Sequence, residues 1–400
     1  MGVDRRAGPR RDPADHEWID TPAGLTRLLA ELDGEPLIGL DTEFHRERTY
    51  FPKVALIQLA WPGGLALIDT LIVDPLPLSA LLADDTTIIM HAASQDLDAL
   101  DRVCGVAPRR LFDTQVAAGF VGYRGPSLVA LVEGELGFNL PKGDRLADWL
   151  HRPLGAAQRR YAAADVVHLL DLAASLRRKL EVRGRLAWAE DECEELRQRA
   201  LVRRDPDDAW WRIKEARQLR GRAVQVAQTL AAWRERAAVE TDQPVRFILP
   251  DLALVSIAQR PADSIDDLRA VRGLDGRHLR GGQAEEILGA VKEGLALKRS
   301  EVRMPPLRKE IERDLRPAAT LSSALVGQLA RDLHIDPTLL ATRADLEDFL
   351  RGAPDARLLH GWRAEVVGDR LRRLVSGEAA VVFDGRGGLT LEERSRRPLA

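Results

Sequence analysis

The architecture of this chain is organised around Pro36-Leu-Ile-Gly-Leu-Asp-Thr-Glu-Phe44. The apolar half of this segment predicts a buried central β-strand, and alternate residues of an extended strand point to the same face. Asp41 and Glu43 therefore project together just after the apolar run. Two adjacent carboxylates repel each other unless a cation lies between them, and Mg²⁺ or Mn²⁺ prefers such oxygen ligands. Taken alone, the tripeptide is equally typical of a solvated strand end.

Apolar strands and helical patterns alternate on both sides of this segment, from Trp18 to about Leu186. The predicted strands are residues 37–40, 54–60, 65–69, 87–90 and 111–112. The predicted helices are residues 22–32, 76–83, 94–103, 114–121, 127–136 and 156–183. Trp61-Pro-Gly-Gly64 indicates a hairpin between the second and third strands. Three antiparallel strands followed by a βα alternation predict an α/β fold with a mixed sheet.

The rest of the chain carries helical patterns, and strand signals stop after Asp191. The main predicted helices are residues 211–238, 252–258, 264–269, 281–297, 322–333, 343–350 and 359–376. Linkers near residues 203–208 and 304–306 divide an α/β domain at residues 15–190 from small all-α domains at 207–297 and 318–377. The composition of residues 384–400, with little apolar spacing, predicts little regular structure there. A fragment ending near Arg203 is expected to fold by itself.

The composition is that of an ordinary globular protein and excludes several classes. The 59 Lys and Arg residues and the 62 Asp and Glu residues leave a net charge of −3, which does not by itself indicate a nucleic-acid-binding protein. The two cysteines, Cys104 and Cys193, are too few for a disulfide framework or a thiolate zinc site. No segment has the roughly 18 consecutive apolar residues of a membrane span, and the N-terminus lacks a signal-peptide core. We expect a cytoplasmic protein without a membrane partner.

A third acidic position follows the fourth predicted strand, in His91-Ala-Ala-Ser-Gln-Asp96. Ser94 is the predicted N-cap of a helix, which places Asp96 in its first turn. Such a first-turn aspartate often does no more than complement the helix dipole, so this motif alone carries little weight.

A fourth acidic position lies in the predicted helix 156–183, in Tyr161-Ala-Ala-Ala-Asp165. Tyr161 and Asp165 are four residues apart and share one helix face, and the three alanines between them allow close approach to a sheet. A packed tyrosine with a solvated aspartate is an equally common arrangement.

The order of these motifs resembles the DEDD superfamily of 3′-5′ exonucleases, in the subclass with tyrosine in the last motif. The histidine subclass has His five residues before its last Asp, where this chain has Arg160. Flanking segments narrow the resemblance to ribonuclease D over roughly residues 15–186, which implies an RNase H-like mixed-sheet domain. These segments are Tyr50-Phe-Pro52, Leu56-Ile-Gln-Leu59, Asp113-Thr-Gln115, Asp148-Trp-Leu150 and Arg152-Pro-Leu154.

The resemblance implies removal of nucleotides from the 3′ ends of RNA, tRNA precursors in particular, with nucleoside 5′-monophosphates as products. Two divalent cations, Mg²⁺ or Mn²⁺, roughly 3.5–4 Å apart would stabilise the attacking and leaving oxygens. The implied ligands are Asp41, Glu43, Asp96 and Asp165. Asp41 would bridge both cations, and Tyr161 would orient the attacking water. Lys142 and Asp148 would border the substrate groove.

The helical region is similar to the HRDC domain, a small nucleic-acid-binding module, at Phe247-Ile-Leu-Pro-Asp251 and Val271-Arg-Gly-Leu274. Between residues 196 and 236, 11 basic residues stand against five acidic ones, which suits an RNA backbone with stacked unpaired bases. The basic residues expected on the first helix are Arg212, Lys214, Arg217, Arg220 and Arg222, with Trp210, Trp211 and Trp233 beside them. A solvated helix face over core tryptophans is the alternative.

Two other functions are compatible with these residues. One is a DNA exonuclease with the same carboxylates, and the other is a non-catalytic RNA-binding adaptor, against which the complete acidic set argues. A helicase is excluded because the chain has no GxxxxGK[ST] loop, so no nucleotide cofactor is expected. His45, His91 and His168 lack metal-ligand spacing and are expected in packing and local hydrogen bonds.

Overall fold

The computed structural model describes residues 12–140, 147–203, 205–304 and 315–395. The chain forms two compact units. The first consists of Met1–Thr42, Leu56–Ala200 and Lys309–Ala400, and the second of Glu43–Ala55 and Leu201–Arg308. Lys142, expected beside a substrate groove, lies outside the described residues.

A mixed sheet of six strands has the order β1-β4-β3-β2-β5-β6. The strands are β1 (Glu17–Ile19), β2 (Leu37–His45), β3 (Lys53–Trp61), β4 (Gly64–Ile68), β5 (Thr87–Met90) and β6 (Arg110–Asp113). The pairs β1–β4, β2–β5 and β5–β6 are parallel, and β3–β4 is antiparallel. The carboxyl ends of β2, β5 and β6 therefore meet at one edge, which is where ligands bind in sheets of this kind.

The predicted α/β fold with a mixed sheet is confirmed, and each of the five predicted strands is present. Strand β1 was not predicted, because its three residues are too few to show a periodic pattern. Strand β2 continues five residues beyond its predicted end of Leu40. Thr42 is buried on the same face as Leu40 and so extends the alternation. Asp41 and Glu43 consequently lie inside the strand rather than after it.

The predicted hairpin between β3 and β4 is present, with Trp61 paired to Gly64. A Cβ added at Gly63 would lie 2.7 Å from the indole nitrogen of Trp61, and one at Gly64 would lie 2.9 Å from a ring carbon of the same side chain. Both positions need glycine because the Trp61 ring folds back over the turn.

Eight helices precede residue 201 in the described part of the first unit. They are α1 (Pro22–Leu32), α2 (Ser79–Ala83), α3 (Ser94–Val103), α4 (Thr114–Gly119), α5 (Leu128–Leu136), α6 (Ala156–Val167), α7 (Leu169–Val182) and α8 (Leu186–Ala200). Helix α1 shows how they form: Thr21 accepts the Gly24 N–H at its N-terminus, and Leu25, Leu28 and Leu32 bury one face. The predicted helix 156–183 is divided into α6 and α7 at His168, whose backbone leaves the helical region.

The helices after residue 315 share the hydrophobic core of the first unit. They are α14 (Arg316–Leu333), α15 (Pro337–Leu340), α16 (Arg343–Leu350), α17 (Gly361–Arg363) and α18 (Asp369–Val375). The Trp362 ring stacks on Trp188 with centroids 5.0 Å apart and meets the ring of Phe120 edge-on at 5.3 Å. The buried Glu192 of α8 is paired with both Arg357 and Arg363. The expectation of a separate core ending near Arg203 is therefore wrong, whereas the boundaries 15–190, 207–297 and 318–377 stay predictions.

A two-stranded hairpin, β7 (Ala379–Phe383) and β8 (Leu389–Glu393), corrects two expectations. Strands occur after residue 191, and part of the segment 384–400 is regular. Asp384 closes the connection by accepting the N–H groups of Arg386 and Gly388. The strands are short and mostly exposed, which is why the sequence carries little alternation there.

The described part of the second unit has a helical core, in agreement with the predicted all-α domain. Its helices are α9 (Arg222–Thr241), α10 (Val245–Ile248), α11 (Asp251–Gln259), α12 (Ile265–Arg269) and α13 (Gln283–Ala296). Leu230, Ile257 and Ile287 are fully buried between the three longest of them. The helix predicted at 211–238 begins only at Arg222. Tight 3₁₀ turns at Pro206–Arg212 and Ala216–Gln218 precede it, and Gly221 has a positive φ of 61°.

Throughout the described residues, every helix is too short or too polar to cross a bilayer.

Candidate active site

Strand β2 carries the first two acidic side chains. Asp41 and Glu43 are half-buried and alternate with the buried Leu40 and Thr42. They therefore point to the same face of the strand, as predicted. Gly39 of β2 is in register with Ile89 of the parallel strand β5, which places the end of β5 beside this acidic stretch.

Asp96 is brought to β2 by a hydrogen bond. It is the third residue of α3, and its buried carboxylate accepts the Thr42 hydroxyl at 2.5 Å. Thr42 stands between Asp41 and Glu43, so this bond joins the first turn of α3 to the acidic part of β2. Burial raises the pKa of Asp96 to about 6, while the bond from Thr42 acts in the opposite direction.

The start of α3 differs from the prediction. Ser94 is the first helical residue, and the N-cap is Ala93, which has no side chain to cap the helix. The Ala93 N–H donates instead to the fully buried carboxylate of Asp113, at 2.8 Å. Asp113 also caps α4 by accepting the N–H groups of Gln115 and Val116. Asp113 is part of a segment that carries the family resemblance, but the sequence assigned it no role. Its position at the end of a strand and just before a helix was the signal that could have identified it as a helix cap.

The last acidic motif lies on α6, and the start of α7 packs closely over β2. A Cβ added at Gly39 would lie 3.2 Å from Leu169 and 3.3 Å from Leu170. Asp165 precedes Leu169 by four residues, so the close approach at Gly39 brings the end of α6 to the strand that carries Asp41. A larger side chain at this position would need its neighbours to shift by a few tenths of an ångström, so glycine favours that approach.

Tyr161 of α6 is held from the side by the loop before the helix. Its ring stacks on the buried Trp149 with centroids 6.1 Å apart and an interplanar angle of 30°. Asp148, the preceding residue, is exposed and accepts the Leu150 N–H at 3.0 Å, which shapes the loop. Trp149 belongs to a segment quoted for the family resemblance, and the structure gives it a contact with the predicted catalytic tyrosine.

Asp41 and Glu43 are carried by β2, and Asp96 by α3, which is bonded to β2. Asp165 is carried by α6, which leads into the start of α7 above Gly39. Within the described ranges, no three His, Cys, Asp or Glu side chains are gathered in the geometry of a metal site. The donors that the elements carry to this edge are carboxylate oxygens, which are the ligands that Mg²⁺ and Mn²⁺ prefer.

His91 and His168 lie in local hydrogen bonds and packing, as expected. The ring nitrogens of His91 lie 2.9 Å from the Thr114 hydroxyl and 3.1 Å from the Pro126 carbonyl. Burial lowers the pKa of His91, although the charge of Asp113 opposes this shift. His168 stacks on Phe138 at 5.2 Å, and His45 lies 3.9 Å from Glu47.

The basic residues near residue 212 are exposed, whereas the tryptophans beside them are engaged in packing and hydrogen bonds. The five basic residues are all exposed, but four of them lie in the turns before α9 rather than on the first helix. The tryptophans agree with the alternative, in which they pack against the helical core beneath a solvated basic face. Trp210 is only 2% exposed, and the indole N–H groups of Trp210 and Trp211 both donate to the Arg303 carbonyl at 3.1 Å. Trp233 donates to Glu286 at 2.8 Å.

Comparison with known proteins covers both parts of the chain. A family model described as 3′-5′ exonuclease matches residues 16–181, and the HRDC domain model matches residues 223–291. Ribonuclease D of Gluconacetobacter diazotrophicus is 36% identical over 381 residues, which are 93% of this chain and 95% of that protein. Ribonuclease D of Escherichia coli is 35% identical over 373 residues, 90% of this chain and 98% of that protein.

Solved structures show the same similarity. The crystal structure of Escherichia coli RNase D, described as an exoribonuclease involved in structured RNA processing, matches with a TM-score of 0.81 at 34% identity. The match covers 90% of this chain and 99% of that one. A protein from Bifidobacterium adolescentis shares the fold with a TM-score of 0.69 at 24% identity.

Proposed function

Because the chain belongs to the ribonuclease D family and is a 3′-5′ exoribonuclease, we propose that it trims structured RNAs with single-stranded 3′ ends, tRNA precursors in particular. The products would be nucleoside 5′-monophosphates. The observation that supports the proposal is the bond from Thr42 to Asp96, which ties the first turn of α3 to the strand that carries Asp41 and Glu43. Family membership also argues against the non-catalytic adaptor.

The carboxylate chemistry of the predicted site residues suits a pair of Mg²⁺ or Mn²⁺ ions. Asp41, Glu43, Asp96 and Asp165 would hold them. Asp96 is a carboxylate whose charged form is disfavoured by burial, and a nearby divalent cation would compensate that cost. When bound, the ions would supply an activated water and stabilise the attacking and leaving oxygens of the phosphodiester.

Each protein side chain then has a defined task. The carboxylates of β2 and α3 hold negative charge at fixed points along one sheet edge. Tyr161 would orient the attacking water through its hydroxyl. Its stack on Trp149 limits the positions that the hydroxyl can take.

RNA beyond the cleaved nucleotide would contact the exposed basic residues before α9. Lys214 and Arg217 are exposed there, Arg222 is exposed at the first position of α9, and cations of this kind bind phosphates regardless of base sequence. Both cysteines of the chain are buried and free, which agrees with the reducing cytoplasm as the proposed compartment.

The test is product analysis with 5′-labelled and 3′-labelled strands, RNA and DNA of one sequence, with Mg²⁺ or Mn²⁺ present. We expect stepwise shortening from the 3′ end of RNA, and release of 5′-monophosphates. Asp41→Asn, Glu43→Gln and Asp165→Asn should each abolish cleavage while the fold is retained. Asp171→Asn, an exposed position on α7, is the matched control and should cleave normally. Equal turnover by Asp165→Asn and the control would remove Asp165 from the site.

Tyr161→Phe should lower the single-turnover rate roughly 10²-fold or more without weakening metal binding, because it deletes one positioned hydroxyl. The phenylalanine ring keeps the stack on Trp149. A loss of metal affinity equal to that of Asp165→Asn would instead make Tyr161 a structural residue.

A further inference from the structure

The second unit contains the end of the catalytic strand. Glu43, the last residues of β2 and the loop of residues 46–52 belong to it together with the helices between residues 201 and 308. This loop connects β2 to β3, and Glu43 stands only three residues before it. The contacts that hold the loop therefore bear on the end of β2.

Tyr50 anchors the middle of the loop to α9. Its hydroxyl donates to Oε2 of Glu235 at 2.7 Å, and the other oxygen of the same carboxylate is paired with Arg212. The Glu235 side chain is only 8% exposed. A buried carboxylate with both oxygens engaged is strongly localised, because losing either partner would leave it poorly solvated.

Two further bonds hold the loop on either side of Tyr50. The Phe51 N–H donates to Oδ1 of Asp242 at 3.0 Å, at the end of α9. The Arg246 guanidinium of α10 donates to the Glu47 carbonyl at 2.8 Å. These two bonds and the Tyr50–Glu235 bond form what we call the loop clamp.

We propose that the loop clamp positions Glu43, and that Tyr50 and Glu235 are positioning residues for cleavage. This inference rests on the proposed role of Glu43 as a metal ligand. A strand end followed by a seven-residue loop without such bonds would fray. A loop that is bonded at three points keeps the end of β2, and therefore Glu43, in one position. Misplacement of a reacting group by about 1 Å costs on the order of 10²-fold in rate.

Within the second unit, the clamp also joins the loop after Glu43 to the proposed RNA-binding surface. Arg212 is exposed over 38% of its side chain, and it shares Glu235 with Tyr50. The basic turns before α9 and the loop after Glu43 are thus fixed by one carboxylate. Residues of the HRDC region would then hold the loop after Glu43 in addition to their proposed contacts with RNA.

The test uses Tyr50→Phe in the full chain, which removes one hydroxyl and keeps the ring. We expect kcat on a short single-stranded RNA to fall roughly tenfold or more while KM changes less than twofold. Tyr123→Phe is the matched control, because the Tyr123 hydroxyl also donates to a buried carboxylate, that of Glu135, at 2.9 Å. It should lose similar stability and keep its kcat.

Hydrogen exchange without metal or RNA gives a readout independent of activity. Tyr50→Phe should accelerate amide exchange at residues 43–52, whereas Tyr123→Phe should not. Calorimetric titration with Mn²⁺ should show weaker binding to Tyr50→Phe than to the control. Wild-type exchange at residues 43–52 together with wild-type kcat in Tyr50→Phe would overturn the proposal.

The outcomes also separate this inference from the proposed function. If Glu43→Gln cleaved normally, the metal role of Glu43 would fail, although faster exchange in Tyr50→Phe would still show that the clamp holds the strand end. If Glu43→Gln were inactive and Tyr50→Phe matched the control in kcat, exchange and Mn²⁺ affinity, the proposed function would stand and the clamp would be only a structural contact.

Discussion

Arg152 and Asp69 form a bidentate ion pair 83 residues apart in the chain. Nε and Nη2 of the guanidinium donate to the two carboxylate oxygens at 2.6 and 2.7 Å. Asp69 is fully buried just after β4, and Arg152 also donates to the Trp149 carbonyl at 2.7 Å. The pair therefore fastens the loop before α6 to the sheet, and Trp149 in that loop supports the ring of Tyr161.

Arg152→Ala should destabilise the fold by about 3–5 kcal/mol, because it leaves Asp69 buried without its cation. It should also slow cleavage, since the Trp149 support of Tyr161 loosens. Urea unfolding and single-turnover rates measure the two effects. Arg372→Ala is the control, because its pair with Asp369 is exposed and is expected to contribute less than about 1 kcal/mol. Equal destabilisation by the two variants would contradict the structural role of the Arg152–Asp69 pair.

Thr42→Val should weaken the active site while keeping the shape of the side chain. The lost bond to Asp96 is charge-assisted, and such bonds contribute roughly 1.5–3 kcal/mol, so we expect about a 10- to 100-fold lower rate at limiting metal. The pKa of Asp96 should rise further, because this bond favours its charged form.

The matched control for this change is Thr229→Val. Its buried hydroxyl donates to the Ala290 carbonyl at 2.8 Å in the helical core. It should lower the free energy of unfolding without changing the dependence of the rate on metal concentration. If Thr42→Val had a normal metal dependence, the contact between Thr42 and Asp96 would have no part in the site.

Much of the sheet was predictable because its strands carry long apolar runs with local turn signals. Trp61-Pro-Gly-Gly64 indicated its hairpin, and the run ending at Leu40 indicated a central strand. The three residues of β1 were not predictable, since their place depends on pairing with β4, more than 40 residues away. The association of residues after 315 with the nuclease core was missed for the same reason, because no local pattern reports contacts such as Trp188 with Trp362.

The order of the motifs was enough to propose the site residues but not the residues that position them. Asp41, Glu43, Asp96, Tyr161 and Asp165 were proposed from spacing and resemblance, and their roles stay predictions. The residues that position them were not found, because Thr42, Asp113 and Arg152 act through partners distant in sequence. Ser94 was predicted as an N-cap from local preference, but the buried Asp113 carboxylate takes the Ala93 N–H and moves the cap.

Removal of residues 309–400 should unfold or strongly destabilise the nuclease unit, contrary to what the sequence suggested for a fragment ending near Arg203. The deletion exposes the core around Trp188 and leaves Glu192 without Arg357 and Arg363. Circular dichroism melting of the fragment measures this, and a cooperative transition at the wild-type temperature would contradict it.

A milder test of the same core is Trp362→Ala, which should cost about 3–5 kcal/mol. Leu359→Ala is the control, because Leu359 lies nearby in the chain and is 37% exposed. It should change the free energy of unfolding by less than about 1 kcal/mol.

Salt dependence tests whether the basic residues in the turns before α9 and at its first position bind RNA. Lys214→Gln with Arg222→Gln removes two exposed charges, and each lost phosphate contact should lower the slope of log Kd against log salt by roughly 0.7–0.9. The double variant should therefore bind a structured RNA with a slope reduced by roughly 1.4–1.8. An Asp165→Asn background prevents cleavage during the titration.

Arg372→Gln with Arg373→Gln is the matched control. It removes the same net charge from exposed positions of α18 and should leave the slope unchanged. If both double variants changed the slope equally, binding would reflect overall charge, and the turns before α9 would have no specific part in holding RNA.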